Sequence, residues 1–260
     1  MTVYEQIGQD YDLTRRADPY ITARLADHLQ LQSDTKYLDV ACGTGNYTLA
    51  LAKLGGIWHA VDQSQLMIDA AVNKNNTVTW QVAVAEKLPF ADRIFSGVLC
   101  TLAIHHFAAL LPAFQEINRV MAAGRFVVFT ATPEQMHKYW LVEYFPEAIC
   151  KSAEQMPSLE TVKSALHTAG FDTISTENYS VTEKLQDLFL YSGKHRPELY
   201  LDAHVRSGIS TFALLASPDE ITTGCHKLTT DITTGMITKI IQKYEHNQGD
   251  YLFVIANKVN

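Results

Sequence analysis

One short segment constrains the fold more than any other part of the sequence. Residues Leu38–Asn46 read LDVACGTGN, in which an acid, Asp39, precedes a Gly-x-Gly turn. The run Lys36–Ala41 is short and apolar, as a buried strand is, and Tyr47–Leu54 has the pattern of a helix. Glycines permit positive φ and let a ligand approach the backbone closely. The segment therefore predicts a strand, a tight turn and a helix start at which a ligand binds.

The alternation of strand and helix patterns continues to about residue 132. Runs of apolar residues alternate with segments whose apolar residues recur at helical spacing, the pattern of a parallel sheet with crossover helices. The predicted strands are Ile57–Val61, Val78–Val84, Phe95–Cys100 and Arg125–Ala131, and the predicted helices between them are Ser64–Val72 and Phe107–Ala122. We therefore predict an α/β protein with a Rossmann-like, mostly parallel sheet and helices on both faces.

The second half of the chain has a different organisation. Thr132, Pro133 and Gln135 are suited to the N-cap, N1 and N3 positions of a helix. We expect this helix to contain Tyr139, Trp140, Tyr144 and Phe145. The further predictions are a helix at Ser158–Ala169, a strand at Phe171–Val181, mostly helical structure over Thr182–Gln248 and a last strand at Tyr251–Ala256.

These elements predict one domain over residues 1–260. Its core spans about 34–132, helical cap segments span about 133–170 and 182–248, and the last strand spans about 250–257. We expect the long insertion before the last strand to cover the active site.

A second acid indicates what the glycine turn binds. Asp62 ends the second strand and follows Asp39 by 23 residues, a position from which an acid can hydrogen-bond ribose hydroxyls. A nicotinamide dinucleotide favours G-x-G-x-x-G, but the third position here is Thr48, and no P-loop lysine motif occurs. An acid just before the turn suits an amino group better than a pyrophosphate. S-adenosylmethionine (SAM) has an amino acid tail, a ribose and no phosphate, so it fits best.

These residues resemble the class I SAM-dependent methyltransferases, in particular the methyltransferase type 11 group that includes ubiquinone and menaquinone methyltransferases. The resemblance covers about Leu38–Ala131, and Ala41 stands where the family motif has its first glycine. It implies SAM as the cofactor and a seven-stranded sheet whose last strand, Tyr251–Ala256, is antiparallel.

The resemblance also implies which residues contact the cofactor. Asp62 matches a ribose-binding acid, and Met67 matches an apolar residue that packs on adenine. Residues 85–90 look like a family loop that brackets the adenine, although Val84 stands where the family often has aspartate. Tyr11 and Arg15 resemble part of an N-terminal helix that folds over the cofactor. The predicted cofactor-binding residues are Tyr11, Arg15, Asp39, Ala41, Gly43, Gly45, Asp62, Gln63, Met67, Ala85, Glu86 and Cys100.

Two histidines are the candidate catalytic residues. Methyl transfer from SAM is an in-line displacement, so the enzyme chiefly holds the acceptor close and aligned. A general base helps only where the acceptor loses a proton, and histidine titrates near neutral pH. His105 and His106 lie in the segment after the fourth strand, which contacts the methionine part of the cofactor in the family. Cys100 has no assignable base partner and is predicted to be part of the cofactor wall.

Composition limits the partners. The chain has 21 Lys and Arg against 28 Asp and Glu, a formal net charge of −7, which disfavours nucleic acid. No CxxC or HExxH motif occurs, so no metal site is predicted. The sequence shows neither a signal-peptide pattern nor a run of about 18 apolar residues, so we expect a cytoplasmic protein without a membrane span.

The expected acceptor is a small molecule, aromatic or lipid-like, which is methylated on O, N or C. The oligomeric state is left open. The alternatives are a non-catalytic SAM-binding protein of the same fold, an aminopropyl transferase and a nicotinamide-dependent oxidoreductase. The aminopropyl transferase is disfavoured because residues 100–107, CTLAIHHF, include no acid that could hold a polyamine.

Overall fold

In the computed structural model, which describes residues 11–259, seven strands form one sheet. Their order across the sheet is β3-β2-β1-β4-β5-β7-β6. The strands β1 to β5 pair in parallel, and β7 is antiparallel to both β5 and β6. This arrangement confirms the predicted fold class. The strands are β1 Lys36–Val40, β2 Ile57–Asp62, β3 Thr79–Val82, β4 Phe95–Thr101, β5 Met121–Thr130, β6 Thr173–Tyr179 and β7 Tyr251–Lys258.

Helices connect the strands and form the insertion. No helix within residues 11–259 is long and apolar enough to cross a membrane. The α-helices are α1 Tyr11–Thr14, α2 Pro19–Leu29, α3 Asn46–Ala52, α4 Gln65–Lys74, α5 Leu110–Val120, α6 Pro133–Met136, α7 Pro146–Gln155, α8 Leu159–Thr168, α9 Ala203–Ser207, α10 Pro218–Thr234 and α11 Met236–Lys243. Short 3₁₀ turns lie at Ile104–His106, Trp140–Glu143 and Pro197–Leu201, and a π-helical turn lies at Thr211–Leu215.

The sheet has a hydrophobic core on each face. Successive residues of a strand point to opposite faces, and β5 shows this directly. Val127 belongs to the core under α2 and the insertion, whereas Phe126 and Val128 belong to the core under α5 and α8. The two cores hold the carboxyl ends of the parallel strands in fixed register.

The helix expected after Thr132 is much shorter than predicted. Its capping box forms, because the Thr132 hydroxyl accepts from the Gln135 amide and the Gln135 side chain accepts from the Thr132 amide. However, α6 ends at Met136. Tyr139, Trp140, Tyr144 and Phe145 are all buried in the core. These positions spread around most of the circumference of a helix, so one regular helix would not bury all four.

The insertion is less helical than expected between residues 182 and 196, where the chain forms turns. An ion pair stabilises this stretch: Lys194 Nζ lies 2.9 Å from both carboxylate oxygens of Asp250. Asp250 is fully buried and also accepts from the amide of Val181 at 2.7 Å. This carboxylate therefore joins both ends of the stretch to the start of β7.

Replacement of Asp250 tests this link. Asp250→Ala leaves the mostly buried Lys194 ammonium without its counter-charge and the Val181 amide without its acceptor. We expect a loss of about 3–5 kcal/mol in the free energy of unfolding, measured by urea denaturation. The control is Asp27→Ala, which breaks an ion pair with Arg24 but whose side chain is 66% exposed; it is expected to cost less than about 1 kcal/mol. Equal losses of unfolding free energy in the two variants would contradict the role of Asp250 in holding residues 182–196 against β7.

Candidate active site

A cavity of about 530 Å³ lies at the edge of the sheet where the parallel strands end. We call the part beside β1, β2 and β3 the proximal half, and the part beside β5, β7 and the insertion the distal half. The segment after β4 lies between them. The proximal half is lined by Asp39, Ala41, Cys42, Gly43, Thr44, Asp62, Gln63 and Ala83–Glu86. The distal half is lined by Ala131, Met136, Ser152, Met156, Asp187, Phe189, Leu190, Gly208–Thr211 and Tyr251.

The glycine turn bends the chain between β1 and α3 through left-handed backbone conformations. Gly43 has φ 56° and Gly45 has φ 76°. A Cβ at Gly45 would lie 2.3 Å from the Trp80 ring, so only glycine fits there. Ala41 has φ 59°, a conformation that costs an L-residue roughly 1–2 kcal/mol. The turn therefore stores strain at the cavity wall and needs an anchor.

Asp62 is that anchor. Its Oδ2 accepts from the amide of Gly43 at 2.9 Å, and its Oδ1 accepts from the amide of Ser64 at 2.9 Å. Burial raises the pKa of the Asp62 carboxyl, while the backbone donors act in the opposite direction. Each carboxylate oxygen has a further lone pair. Asp62 can thus hold the turn and still accept hydrogen bonds from ligand hydroxyls.

Asp39 ends β1 inside the protein and has an incomplete set of partners. Its Oδ2 accepts from the hydroxyl of Thr48 at 2.6 Å. Its Oδ1 is buried and has no hydrogen-bond partner among the described residues. Burial raises the pKa of this carboxyl to about 7, although the Thr48 hydroxyl opposes the shift. A buried acceptor without a partner is costly, so this position suits a ligand cation.

Comparisons with known proteins identify the family. A family model described as a methyltransferase domain matches residues 38–129. A solved structure from Anabaena variabilis, described as a methyltransferase from an antibiotic biosynthesis pathway, aligns with a TM-score of 0.85 and 33% identity over 94% of this chain and 98% of that chain. The chain belongs to the class I SAM-dependent methyltransferases. The ubiquinone/menaquinone biosynthesis C-methyltransferase UbiE of Burkholderia mallei is 29% identical in an alignment of length 212 that covers 68% of this chain and 86% of UbiE.

The fold is shared more widely than the sequence. The [4+2]-cyclase SpnF aligns with a TM-score of 0.59 and 19% identity, over 92% of this chain and 80% of that chain. At this identity the comparison shows the fold alone.

SAM is the cofactor of this methyltransferase, and the described residues fit it. The buried Oδ1 of Asp39, which lacks a partner, matches the ammonium of the methionine tail. The remaining lone pairs of Asp62 match the ribose hydroxyls. The third position of the dinucleotide motif is Thr48 rather than glycine, and its hydroxyl donates to Asp39 at 2.6 Å.

Most of the predicted cofactor-binding residues lie together, although their contacts with SAM stay a prediction. Three others have structural positions away from the cavity. Gly45 packs on Trp80, Met67 is 1% exposed, and Cys100 is fully buried in the core on the α5 face of the sheet. The side chain of Tyr11 lies outside the described part of the chain. The predicted residues that line the cavity are Arg15, Asp39, Ala41, Gly43, Asp62, Gln63, Ala85 and Glu86.

Both candidate histidines line the cavity, where their rings lie 3.9 Å apart between centroids. Burial lowers the pKa of His105 to about 3, with a further contribution from His106, and burial also lowers the pKa of His106. The imidazole of His105 is therefore neutral at pH 7. Its Nδ1 is buried without a hydrogen-bond partner among the described residues. In this state His105 is a weak base.

The sequence analysis missed Asp187, which joins the N-terminal segment to the insertion. Asp187 is 1% exposed and accepts from Arg15 Nε at 2.6 Å and Nη2 at 3.2 Å. The Tyr47 hydroxyl donates to the same carboxylate at 3.2 Å. All three residues line the cavity. The turn that carries Asp187 has no motif, and 172 residues separate Asp187 from Arg15, so no local signal could have found it.

The raised pKa of Asp39 predicts how the free energy of unfolding depends on pH. The folded protein binds the proton of Asp39 up to a pH of about 7, whereas the unfolded chain releases it near 3.8. The contribution of Asp39 to stability therefore falls as pH rises from about 4 to 7. Asp39→Asn should remove this fall and raise the melting temperature of the SAM-free protein at pH 8 by a few degrees. A melting temperature at pH 8 below that of the unchanged protein would contradict the assignment.

The same group predicts how SAM affinity depends on pH. Ionised Asp39 attracts the ammonium of SAM, and this amine stays protonated below pH 7. We expect the affinity to rise about tenfold between pH 5.5 and 7, measured by titration calorimetry. Asp39→Asn should bind SAM more weakly at pH 7 and show no such rise. An equally steep rise in the variant would assign the effect to another group.

Asp62 has two functions that a pair of variants separates. Asp62→Ala removes the acceptors of the Gly43 and Ser64 amides together with the proposed ribose contact. We expect SAM affinity to fall by about 1–3 kcal/mol and the free energy of unfolding to fall as well. Asp62→Asn keeps one acceptor oxygen and should lie between Ala and the unchanged protein in both measurements. Unchanged SAM affinity in Asp62→Ala would place the cofactor elsewhere.

Proposed function

We propose that the protein transfers the methyl group of SAM to a small-molecule acceptor enclosed in the cavity. One observation carries this proposal: a single cavity of about 530 Å³ joins the proximal half to a distal half walled by the insertion. Clefts and cavities of this size are typical of small-molecule sites. The formal net charge of the chain, −7, also favours a metabolite over a nucleic acid.

The proximal half would hold the cofactor. Asp39 would accept from the ammonium, Asp62 would accept from the ribose hydroxyls, and the Gly43 backbone leaves room for close approach. Ala85 and Glu86 lie where they would border the adenine. Glu86 is held in place because it accepts from the amide of Ala108 at 2.9 Å. Bound SAM supplies a methyl group already activated by its sulfonium.

The segment after β4 would align the acceptor with the methyl group. Leu102, which lines the cavity, has φ 54°, and a left-handed leucine is an uncommon, strained conformation. Neutral His105 would orient a polar acceptor atom by a hydrogen bond rather than by removing its proton at pH 7. An acceptor that must lose a proton would then need His106 or its own acidity. The relative UbiE is named a C-methyltransferase, which favours carbon among the atoms methylated.

The segment that follows β5 and the insertion before β7 would together act as the cap over the acceptor. We propose that segments 133–170 and 182–248 form this cap on the 34–132 core of a single domain. Met136, Ser152 and Met156 come from the first segment, and Phe189 and Ile209 come from the second. Their side chains line the distal half.

The proposal predicts where a labelled methyl group goes. The protein is incubated with SAM labelled in its methyl group and with an extract of its source organism, divided by ultrafiltration at 3 kDa. We expect label to enter the fraction below 3 kDa. The control is Gly43→Val, which should abolish transfer because its side chain would occupy the space of the cofactor. Label confined to macromolecules would contradict a small-molecule acceptor, and SAM binding without transfer to either fraction would indicate a non-catalytic protein.

A further inference from the structure

We propose that Glu116 and Arg119 of α5 are positioning residues for the base of SAM. They fix the loop of residues 83–94, which we call the β3–β4 loop, and the first part of this loop forms the wall beside the adenine. The inference rests on the proposed function, because it takes the proximal half of the cavity as the cofactor site. It adds two residues that would act on the cofactor from outside the cavity.

The β3–β4 loop has little regular structure of its own. It contains no helix and, apart from an isolated bridge between Val84 and Lys87, no strand pairing. Its first four residues, Ala83–Glu86, line the proximal half of the cavity. A loop whose backbone is not paired in a sheet or helix takes its position from other contacts. The shape of this cavity wall therefore depends on what holds the loop.

Two side chains of α5 bind the backbone in the middle of the loop. The Glu116 carboxylate accepts from the amide of Leu88 at 2.9 Å, and the Arg119 guanidinium donates to the carbonyl of Leu88 at 3.1 Å. The guanidinium also donates to the carbonyl of Phe90 at 2.8 Å. The Leu88 side chain is buried in the core on the α5 face of the sheet. Leu88, two residues beyond the cavity wall, is thus held to α5 by both of its backbone groups.

The two side chains of α5 also hold each other. Arg119 donates from Nε to Glu116 Oε1 at 2.8 Å and from Nη2 to Glu116 Oε2 at 2.8 Å. Its Nη1 donates to Asp92, later in the same loop, at 2.7 Å. The guanidinium lowers the pKa of the Glu116 carboxyl, so the pair is ionised at neutral pH. A planar guanidinium supplies these donors in fixed directions, whereas a lysine ammonium does not.

The pair would reach the ligand through the loop. Within the described residues, the cavity lining includes neither Glu116 nor Arg119. The start of the loop is held separately, because the amide of Ala83 donates to a carbonyl at the end of β2 at 3.0 Å. Residues 84–87 connect this attachment to Leu88. The α5 contacts therefore fix the far end of the wall beside the base.

The acids proposed to bind the ribose and the ammonium are anchored by other bonds. Asp62 accepts from the amides of Gly43 and Ser64. Asp39 accepts from the hydroxyl of Thr48. None of these three bonds involves the β3–β4 loop. A change in the α5 pair should therefore alter recognition of the base more than recognition of the rest of the cofactor.

Two ligands that differ only in the base test the proposal. They are S-adenosylhomocysteine and S-inosylhomocysteine, in which hypoxanthine replaces adenine, and their dissociation constants are measured by titration calorimetry on the full chain. We expect the unchanged protein to prefer the adenosyl ligand at least about tenfold, because a fixed wall matches the hydrogen-bonding edge of one base. Arg119→Lys keeps the charge but loses the paired donors. It should bind the adenosyl ligand about five- to tenfold more weakly and reduce the preference to about threefold or less.

A second variant and a matched control locate the effect. Glu116→Gln keeps an oxygen that can accept from the loop amide, so it should lie between Arg119→Lys and the unchanged protein in both affinity and preference. The control is Arg24→Lys. Arg24 also pairs with two carboxylates, those of Asp27 and Glu177, but is not among the described residues that line the cavity. Its replacement should lower the free energy of unfolding and leave both affinities within about twofold. If Arg119→Lys fails to fold, Glu116→Gln gives the comparison.

Three results would overturn the proposal. They are a preference below about threefold in the unchanged protein, a preference that Arg119→Lys leaves unchanged, and an equal loss of affinity for both ligands in Arg119→Lys, which would show only a general loss of structure. Failure of the proposed function gives a different result. If S-adenosylhomocysteine does not bind the unchanged protein, the cofactor site and this inference are both wrong, whereas an unchanged preference in the variant overturns this inference alone.

Discussion

The candidate site depends on two hydrogen bonds that the Asp62 carboxylate accepts. It binds the amides of Gly43 and Ser64, and so fixes the glycine turn against the end of β2. The turn needs this support because Ala41 and both turn glycines have left-handed backbones. Without a fixed turn, the proximal wall of the cavity would not keep one shape. The proposed ligand-binding acid and the structural anchor are thus one residue, so substitutions there are expected to change binding and stability together.

At Asp39, unlike at Asp62, the feature proposed to favour binding lowers the stability of the ligand-free protein. Its carboxyl is buried with one oxygen unpaired, an arrangement that destabilises the folded protein at neutral pH. An ammonium in contact with this oxygen would remove the penalty. Relief of this unfavourable burial would therefore add to the affinity for SAM. The neutral His105, which lines the same cavity, adds no competing positive charge at pH 7. The unpaired oxygen of Asp39 would therefore favour a ligand cation, which in the proposed function is the ammonium of SAM.

The sequence predicted what local patterns encode. The strands up to β5 follow from short apolar runs, and Asp39, Gly43 and Asp62 follow from their spacing in one motif. It did not predict structure that depends on distant partners. The turns at residues 182–196 rely on the ion pair of Lys194 with Asp250, 56 residues apart. Cys100 is predicted at the cofactor wall, and its contact with SAM stays a prediction; its side chain lies in the core on the α5 face of the sheet.

The contrast between the locally encoded core and the distal half has a chemical consequence. The core and its glycine turn are encoded locally, and the fold is shared by SpnF at 19% identity. The distal half is assembled from segments far apart in the chain, and two buried carboxylates hold it: Asp187 joins it to the N-terminal segment, and Asp250 joins it to β7. Under the proposed function, substitutions elsewhere in the distal wall would change which acceptor fits while the cofactor half and these two ion pairs stay intact.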